Sequence, residues 1–198
     1  MRYNIVMKPT GAGVLYLLSD KCELYTNAIP TILSFPFTHD AGKDLTVINK
    51  DLLIKNLSEF ITSNNIPPTT LIIVIADSAA AIDKQASFEN VISKKITTQQ
   101  EEHVFTTNQE LYTLIKKAFE AHGFVIEFVL PGIVFSNTIS AQPTLTFENA
   151  SIIFQEALSL QQYNLLIKPE GFQIPGEDEV SALEQKAQRK RDIMRLYA

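Results

Sequence analysis

The run Thr70-Leu71-Ile72-Ile73-Val74-Ile75-Ala76 limits the fold more than any other stretch, because it is apolar at consecutive positions and not at alternate ones. A strand with one wet face alternates. A strand apolar on both faces must be covered on both, which is the situation of a strand inside an α/β sheet. Residues 71–76 form the longest unbroken apolar stretch, far short of the ~20 residues a membrane-spanning helix requires. Residues 1–8 lack the layout of a signal peptide. The expectation is a cytoplasmic chain that is neither exported nor membrane-spanning over these residues.

Helical signals flank that strand. Asn49 is placed as an N-cap with Asp51 in the first turn, and Leu53, Leu57, Phe60 and Ile61 share one face. Asn64-Asn65-Ile66-Pro67-Pro68 then stops the helix. Thr107 and Glu110 have the spacing of a capping box, and Leu111, Leu114, Ile115, Ala118 and Phe119 follow at helical period. His122 is expected to cap the helix end before Gly123. Residues 124–130 read as a second central strand, broken by Pro131-Gly132.

Upstream, residues 3–7 and 14–19 read as a hairpin joined across Lys8-Pro9-Thr10-Gly11-Ala12-Gly13. Residues 22–25 and 31–37 read as strands, with Pro30 and Pro36 marking edges or bends. Residues 77–83 are alanine-rich and helix-competent, and 88–105 suggest a short helix with one or two strands. A third helix is expected over 149–160, with a last apolar run at 163–167. The fold class implied is α/β, a mixed sheet with flanking helices. Residues 1–167 form the domain, 168–176 a Pro/Gly linker, and 177–198 a charged helix.

The net charge of −5 argues against a nucleic-acid binder. Residues 177–198 hold five acids (Glu177, Asp178, Glu179, Glu184, Asp192) and five bases (Lys186, Arg189, Lys190, Arg191, Arg195), so the whole deficit lies in residues 1–176. That body contains one arginine, Arg2, and arginine is the favoured side chain for gripping phosphate or carboxylate. Cys22 is the only cysteine, which leaves no intrachain disulfide and suits a reducing compartment.

The residue patterns that could carry chemistry are incomplete. Gly11-Ala12-Gly13 lacks the remaining glycines and the Gly-Lys-Ser/Thr of phosphate loops, so a turn is the simpler reading. Asp77-Ser78 stands at the end of the central strand, where open α/β sheets place ligands. A small hydrolase or phosphotransferase centred on Asp77 and Ser78 is therefore the alternative function, weighed against helix capping by either residue. His39 beside Asp40 could in principle activate Cys22 or a serine, but no flanking motif supports it, and no His-x-x-x-His spacing suggests a metal. No cofactor is expected. Arg189-Lys190-Arg191 with Arg195 suits either a solvated helix end or a membrane-proximal basic patch.

The order of these pieces resembles the actin-like cytoplasmic proteins of type IV pilus and type II secretion inner-membrane platforms, the PilM and GspL group. The cues are Phe35-Pro36-Phe37, residues 52–60, 71–76 and, above all, 111–129 with Phe119-Glu120-Ala121-His122-Gly123-Phe124. Tyr163-Asn164-Leu165-Leu166 is similar to the Asn-Leu-Leu-Pro peptide by which the membrane partner docks on the actin-like subunit; Ile167 stands in the proline's place. The resemblance covers residues 1 to about 170. It implies actin-like or ribonuclease H-like subdomains in an incomplete actin fold and a non-enzymatic scaffold with protein partners. Asn164, Leu165 and Leu166 become partner-binding residues carried in cis. Arg189, Lys190, Arg191 and Arg195 become membrane-proximal residues leading toward an anchor beyond residue 198, at the cytoplasmic face of the inner membrane. A homodimer is left open. Nucleotide-binding members carry Asp-x-Gly in the first hairpin, and Lys8-Pro9-Thr10-Gly11 offers no such carboxylate. An ATP-binding module without turnover stands as a further alternative.

Overall fold

The computed structural model describes residues 11–43, 45–98, 101–135, 139 and 142–166. The first expected strand, the linker and the charged helix with Arg189, Lys190, Arg191 and Arg195 lie outside the described residues.

The chain opens with three consecutive antiparallel strands, β1 (Ala12–Leu17), β2 (Lys21–Thr26) and β3 (Ile29–Pro36). A small hairpin follows, β4 (Gly42–Lys43) with β5 (Thr46–Val47). Helix α1 (Lys50–Ser63) leads to β6 (Thr70–Ile75), parallel to β1. Strands β7 (Ala81–Ile82), β8 (Val91–Thr98) and β9 (Glu101–Asn108) form a separate three-stranded sheet in the order β7-β9-β8. Helix α2 (Gln109–Ala121) then leads to β10 (Val125–Pro131), parallel to β6, and α3 (Phe147–Glu156) closes the fold. The main sheet runs β10-β6-β1-β2-β3. Three antiparallel strands, then two parallel ones each reached through a helix, is the arrangement of a ribonuclease H-like domain, the unit from which actin-like folds are built. The described residues hold one such unit, with the three-stranded sheet inserted between β6 and α2.

The sheet is apolar on both sides, as the unbroken pattern of β6 requires. Leu15, Leu17, Cys22, Leu24, Leu71, Ile73 and Ile75 belong to one core cluster with Leu53, Leu57 and Ile61 of α1 and Leu111, Ile115, Ala118 and Phe119 of α2. Val14, Tyr16, Ile72, Val74 and Leu130 belong to the other, with Ala150 and Ile153 of α3 and Ala157 just beyond it. Each such large side chain contributes about 1.5–3 kcal/mol on leaving water, so the two faces together hold the layers. Ile96 and Phe105, both fully buried, tie the inserted sheet into the first cluster.

Several local expectations are corrected. The expected hairpin of 3–7 with 14–19 has its first strand outside the described residues; within them β1 pairs with β2 on one side and β6 on the other, and the β1–β2 turn is closed by Leu18 N donating to Lys21 O at 2.9 Å. Gly11-Ala12-Gly13 is thus the entry to β1. Gly13 is needed because a Cβ there would stand 2.6 Å from Leu71 Cδ2 and 2.7 Å from Tyr25 O. Residues 77–83 give only a single 3₁₀ turn, Asp77–Ala79, since Ala81 and Ile82 are drawn into pairing with Thr106 and Phe105; a helix that short does not outweigh ladder formation. Within 88–105 the described residues are loop and strand. Strand β10 is an edge of the five-stranded sheet, not a central strand.

The start of α2 is also shifted. Thr107 remains in β9 and its hydroxyl donates to Ala79 O at 2.9 Å, while Asn108 caps the helix by accepting from Leu111 N at 3.0 Å. The Asn108 amide also donates to Leu45 O at 2.8 Å, fixing a residue held at φ 66°. Asn108→Ala removes both bonds and is expected to cost about 1–2 kcal/mol. Urea unfolding would show this as a lower midpoint with an unchanged slope.

Candidate functional site

Two places merit description: the C-terminal ends of the parallel strands, and the outer edge of β10.

At the strand ends, Asp77 starts the 3₁₀ turn after β6, and Ser78 is exposed. The residue ahead of that turn is Ala76, with no side-chain cap, so the capping reading of Asp77 or Ser78 is not realised. Gly132, just past β10, lies against this end: a Cβ there would come within 2.9 Å of Ile75 O and 3.5 Å of Asp77 Oδ1. Gly132 thus brings backbone close to one side of the Asp77 carboxylate. Tyr16 lies in the same neighbourhood. Burial raises its phenol well above the ordinary tyrosine value, with further pushes from Asp77 and Glu23. Its hydroxyl donates to Ile139 O at 2.9 Å and Gln142 O at 3.3 Å, which makes it a clamp on the segment before α3. Glu23, almost fully buried, does the same from β2 by accepting from Thr144 Oγ1 at 2.8 Å and Leu145 N at 2.5 Å. Its surface-side partner is Lys21 at 2.7 Å.

Cys22 and His39 are not brought into a working pair. Cys22 is 1% exposed inside the first core cluster, where burial, then Glu23, pushes its thiol up to about 12; His39 is on an exposed turn. Among the described residues no three His, Cys, Asp or Glu side chains are grouped so as to hold a metal.

The β10 edge is more informative. A 3₁₀ turn, Gln161–Tyr163, brings Asn164 and Leu165 against the strand. Leu165 N donates to Val129 O at 2.8 Å, and Val129 N donates to Asn164 Oδ1 at 2.9 Å. The carboxamide oxygen of Asn164 thus occupies the place of a strand carbonyl. The same oxygen accepts from Leu166 N at 3.1 Å, which holds the side chain in that pose. Leu165 is buried in the first core cluster, and Leu166 packs against it partly buried. From the other side, Lys94 Nζ of β8 donates to Asn164 O at 3.1 Å, and Tyr163 hydroxyl donates to Thr97 O at 3.1 Å. Partial burial lowers the Lys94 pKa from its ordinary value. Residues 163–166 therefore bridge two sheets, and the two of them bonded most fully, Asn164 and Leu165, are those singled out by sequence together with Leu166. Lys94, Thr97 and Val129 had no sequence signal, because their part is set by the strand pairing and by the bulge between Ile126 and Phe128 in β10.

No protein-family model and no curated protein sequence matches the chain. Among solved structures, it is similar to the PilM-PilN type IV pilus biogenesis complex at 12% identity and a TM-score of 0.42, covering 64% of this chain and 48% of that one. It is also similar to the cytoplasmic domain of EpsL, an inner membrane component of the type II secretion system of Vibrio cholerae. There the identity is 12%, the TM-score 0.38 and the coverage 63% and 58%. A Bacteroides thetaiotaomicron protein with an actin-like ATPase fold shows 10% identity, a TM-score of 0.39 and coverage of 68% and 56%. The chain spans about half the length of the solved structures it matches. The resemblance to the PilM and GspL group drawn from the sequence is met again among these structures, while the fold class itself rests on the strand order.

Proposed function

We propose that the chain is a non-enzymatic cytoplasmic scaffold of a type IV pilus or type II secretion-like inner-membrane platform, binding partner subunits through surfaces and not through a reactive centre. The observation that carries this reading is the seat of Asn164 and Leu165 on the β10 edge. A segment similar to the docking peptide of such platforms is held here as an added strand-like element, by main-chain bonds and one buried leucine. Asn164, Leu165 and Leu166 serve the partner-binding role in cis, and Arg189, Lys190, Arg191 and Arg195 form the membrane-proximal patch at the inner face. Co-expression with the inner-membrane subunit and the assembly ATPase of the same genome is expected to give a stable complex on gel filtration. Recovery of the chain alone under all such pairings would overturn the reading.

The alternative, a reaction or nucleotide site at Asp77 and Ser78, has in its favour only the position of both residues at the strand ends. Thermal unfolding with and without millimolar ATP and Mg²⁺ separates the two. The scaffold reading expects a midpoint unchanged within about 1 °C, whereas a ligand at a hundred times its Kd would add about 2.7 kcal/mol and raise the midpoint by several degrees.

A further inference from the structure

The run Tyr3-Asn4-Ile5-Val6-Met7 is apolar at 3, 5 and 7, as an edge strand would be, yet it cannot pair with β1. Both sides of β1 are taken, by β2 along Gly13–Leu17 and by β6 along Ala12–Leu17. The outer strands β3 and β10 are what the main sheet leaves for a further strand. On β10 the Val129 N–H and C=O are already bonded, to Asn164 Oδ1 and Leu165 N. Among the described residues, no strand pairs with the outer side of β3. Phe37 N donates to Asp20 O at 2.8 Å. The alternation of an antiparallel ladder then turns Phe35 and Leu33 toward β2, and Pro36, Ser34 and Ile32 outward. Pro36 has no N–H to give. The stretch able to bond thus lies between Pro30 and Pro36, five residues long, which is the length of the run 3–7.

We propose that residues 3–7 dock on β3 of their own chain as a sixth, antiparallel strand and so cover the open edge of the main sheet. The place where the described chain starts supports this. Gly11 stands beside the turn that joins β2 to β3: a Cβ on it would be 2.7 Å from Asn27 Oδ1, and that oxygen accepts from Ala12 N at 3.3 Å. A strand beyond β3 lies three strand spacings from β1, about 14–15 Å. The five residue steps from Met7 to Ala12 reach about 16–18 Å, so Lys8-Pro9-Thr10-Gly11 can cross the turn with little slack. The same corner carries uncovered aromatic surface. Phe147, at the start of α3, is 52% exposed, its ring 5.6 Å from that of Tyr25 on β2, and Ile32 of β3 is partly buried on that face. Tyr3, Ile5 and Met7 cover that face, and Asn4 and Val6 take the other. On so short a tether the run competes at an effective concentration of about millimolar, which favours it over a strand from a second copy. An edge covered in this way no longer offers a template for pairing with another chain.

Amide hydrogen exchange in the full chain tests this. The Ser34 amide is expected to exchange at least about tenfold more slowly in the wild type than in Ile5→Pro, which removes an N–H and breaks the added ladder. Leu33 and Phe35, whose amides turn to β2, should exchange alike in both chains and show that the rest of the sheet is unchanged. Three double variants give a second measurement that does not depend on Ile5→Pro folding: Ser34→Cys combined with Tyr3→Cys, Ile5→Cys or Met7→Cys. Cys22 is buried and stays out of the reaction. Under mild oxidation one of the three pairs, the one in register, is expected to form an intrachain disulfide at least about tenfold faster than the other two. Equal Ser34 rates in the wild type and a folded Ile5→Pro would overturn the added strand. So would similar disulfide rates in all three pairs, the behaviour of a loose tail, or no disulfide in any. Disulfide-linked dimers in place of closed monomers would overturn docking within one chain and assign the β3 edge to residues 3–7 of a second copy.

Discussion

Phe105→Ala is expected to lower the free energy of unfolding by about 3–5 kcal/mol, the range for deleting a buried aromatic ring. Phe105 has no exposed surface and lies on the middle strand of the inserted sheet, opposite Ile82 on one side and Lys94 on the other. Its ring belongs to the core cluster that also holds Ile96, Leu111 and Ile115. Ile96 is the other fully buried large side chain of the inserted sheet among the described residues, with Ile82 and Ile92 packed against the same cluster partly buried. The neighbouring Val104, 43% exposed, is the control, and Val104→Ala should stay within about 0.5 kcal/mol. Urea titration of both variants decides the matter: a cost below about 1 kcal/mol for Phe105→Ala would mean that the three-stranded sheet does not share the core of the five-stranded one.

Glu23→Ala is expected to cost about 3 kcal/mol, because it leaves the buried Leu145 amide without an acceptor and opens space under the loop before α3. Glu23 is 4% exposed, and Leu145 is 3% exposed. Burial by itself pushes the Glu23 carboxyl up, but hydrogen bonds from Lys21, Leu145 and Thr144, and the Lys21 charge, bring it below the ordinary glutamate value. The folded pKa is therefore lower than the unfolded one, so this group's contribution is fully present above the unfolded value and is lost as pH falls through the folded value. Stability of the wild type should decline below about pH 4 more steeply than that of Glu23→Gln, which keeps an acceptor but does not titrate. Parallel acid profiles for the two would show that Glu23 is not the group responsible.

The parts of the fold legible in the sequence were those where one pattern had one structural solution. The unbroken run at 71–76 became a strand covered on both faces, and Asn49 with Leu53, Leu57 and Ile61 became a capped helix with a buried stripe. Pro30 and Pro36 did mark an edge strand. What failed were decisions between neighbours of similar chemistry. Thr107 and Asn108 are both competent caps, and the choice fell to Asn108, whose side chain accepts from Leu111 N, while the Thr107 hydroxyl is turned to Ala79 O. The glycines at 11 and 13 suit a turn in isolation, yet Gly13 answers to a crowded crossing with Leu71 and Tyr25 that only the tertiary structure creates. The candidate segment 163–166 could be named from its residues, but its seat could not, because Val129, Lys94 and Thr97 come from strands far away in sequence.

The apolar character of β6 on both sides has one further implication. In a strand with a wet face and a dry face, a slip of one residue would be punished at once by exposing its apolar set. Thr70–Ile75 carries no such safeguard, since either set of side chains would satisfy either layer. Alignment must then be enforced by its neighbours: by the missing side chain at Gly13, and by Tyr16 and Glu23, whose polar tips find partners only on the α3 side. Substituting those three with well-packed apolar residues would remove the molecule's means of telling its two sides apart, and a mixture of alignments, more than a simple loss of stability, is what such a variant should display.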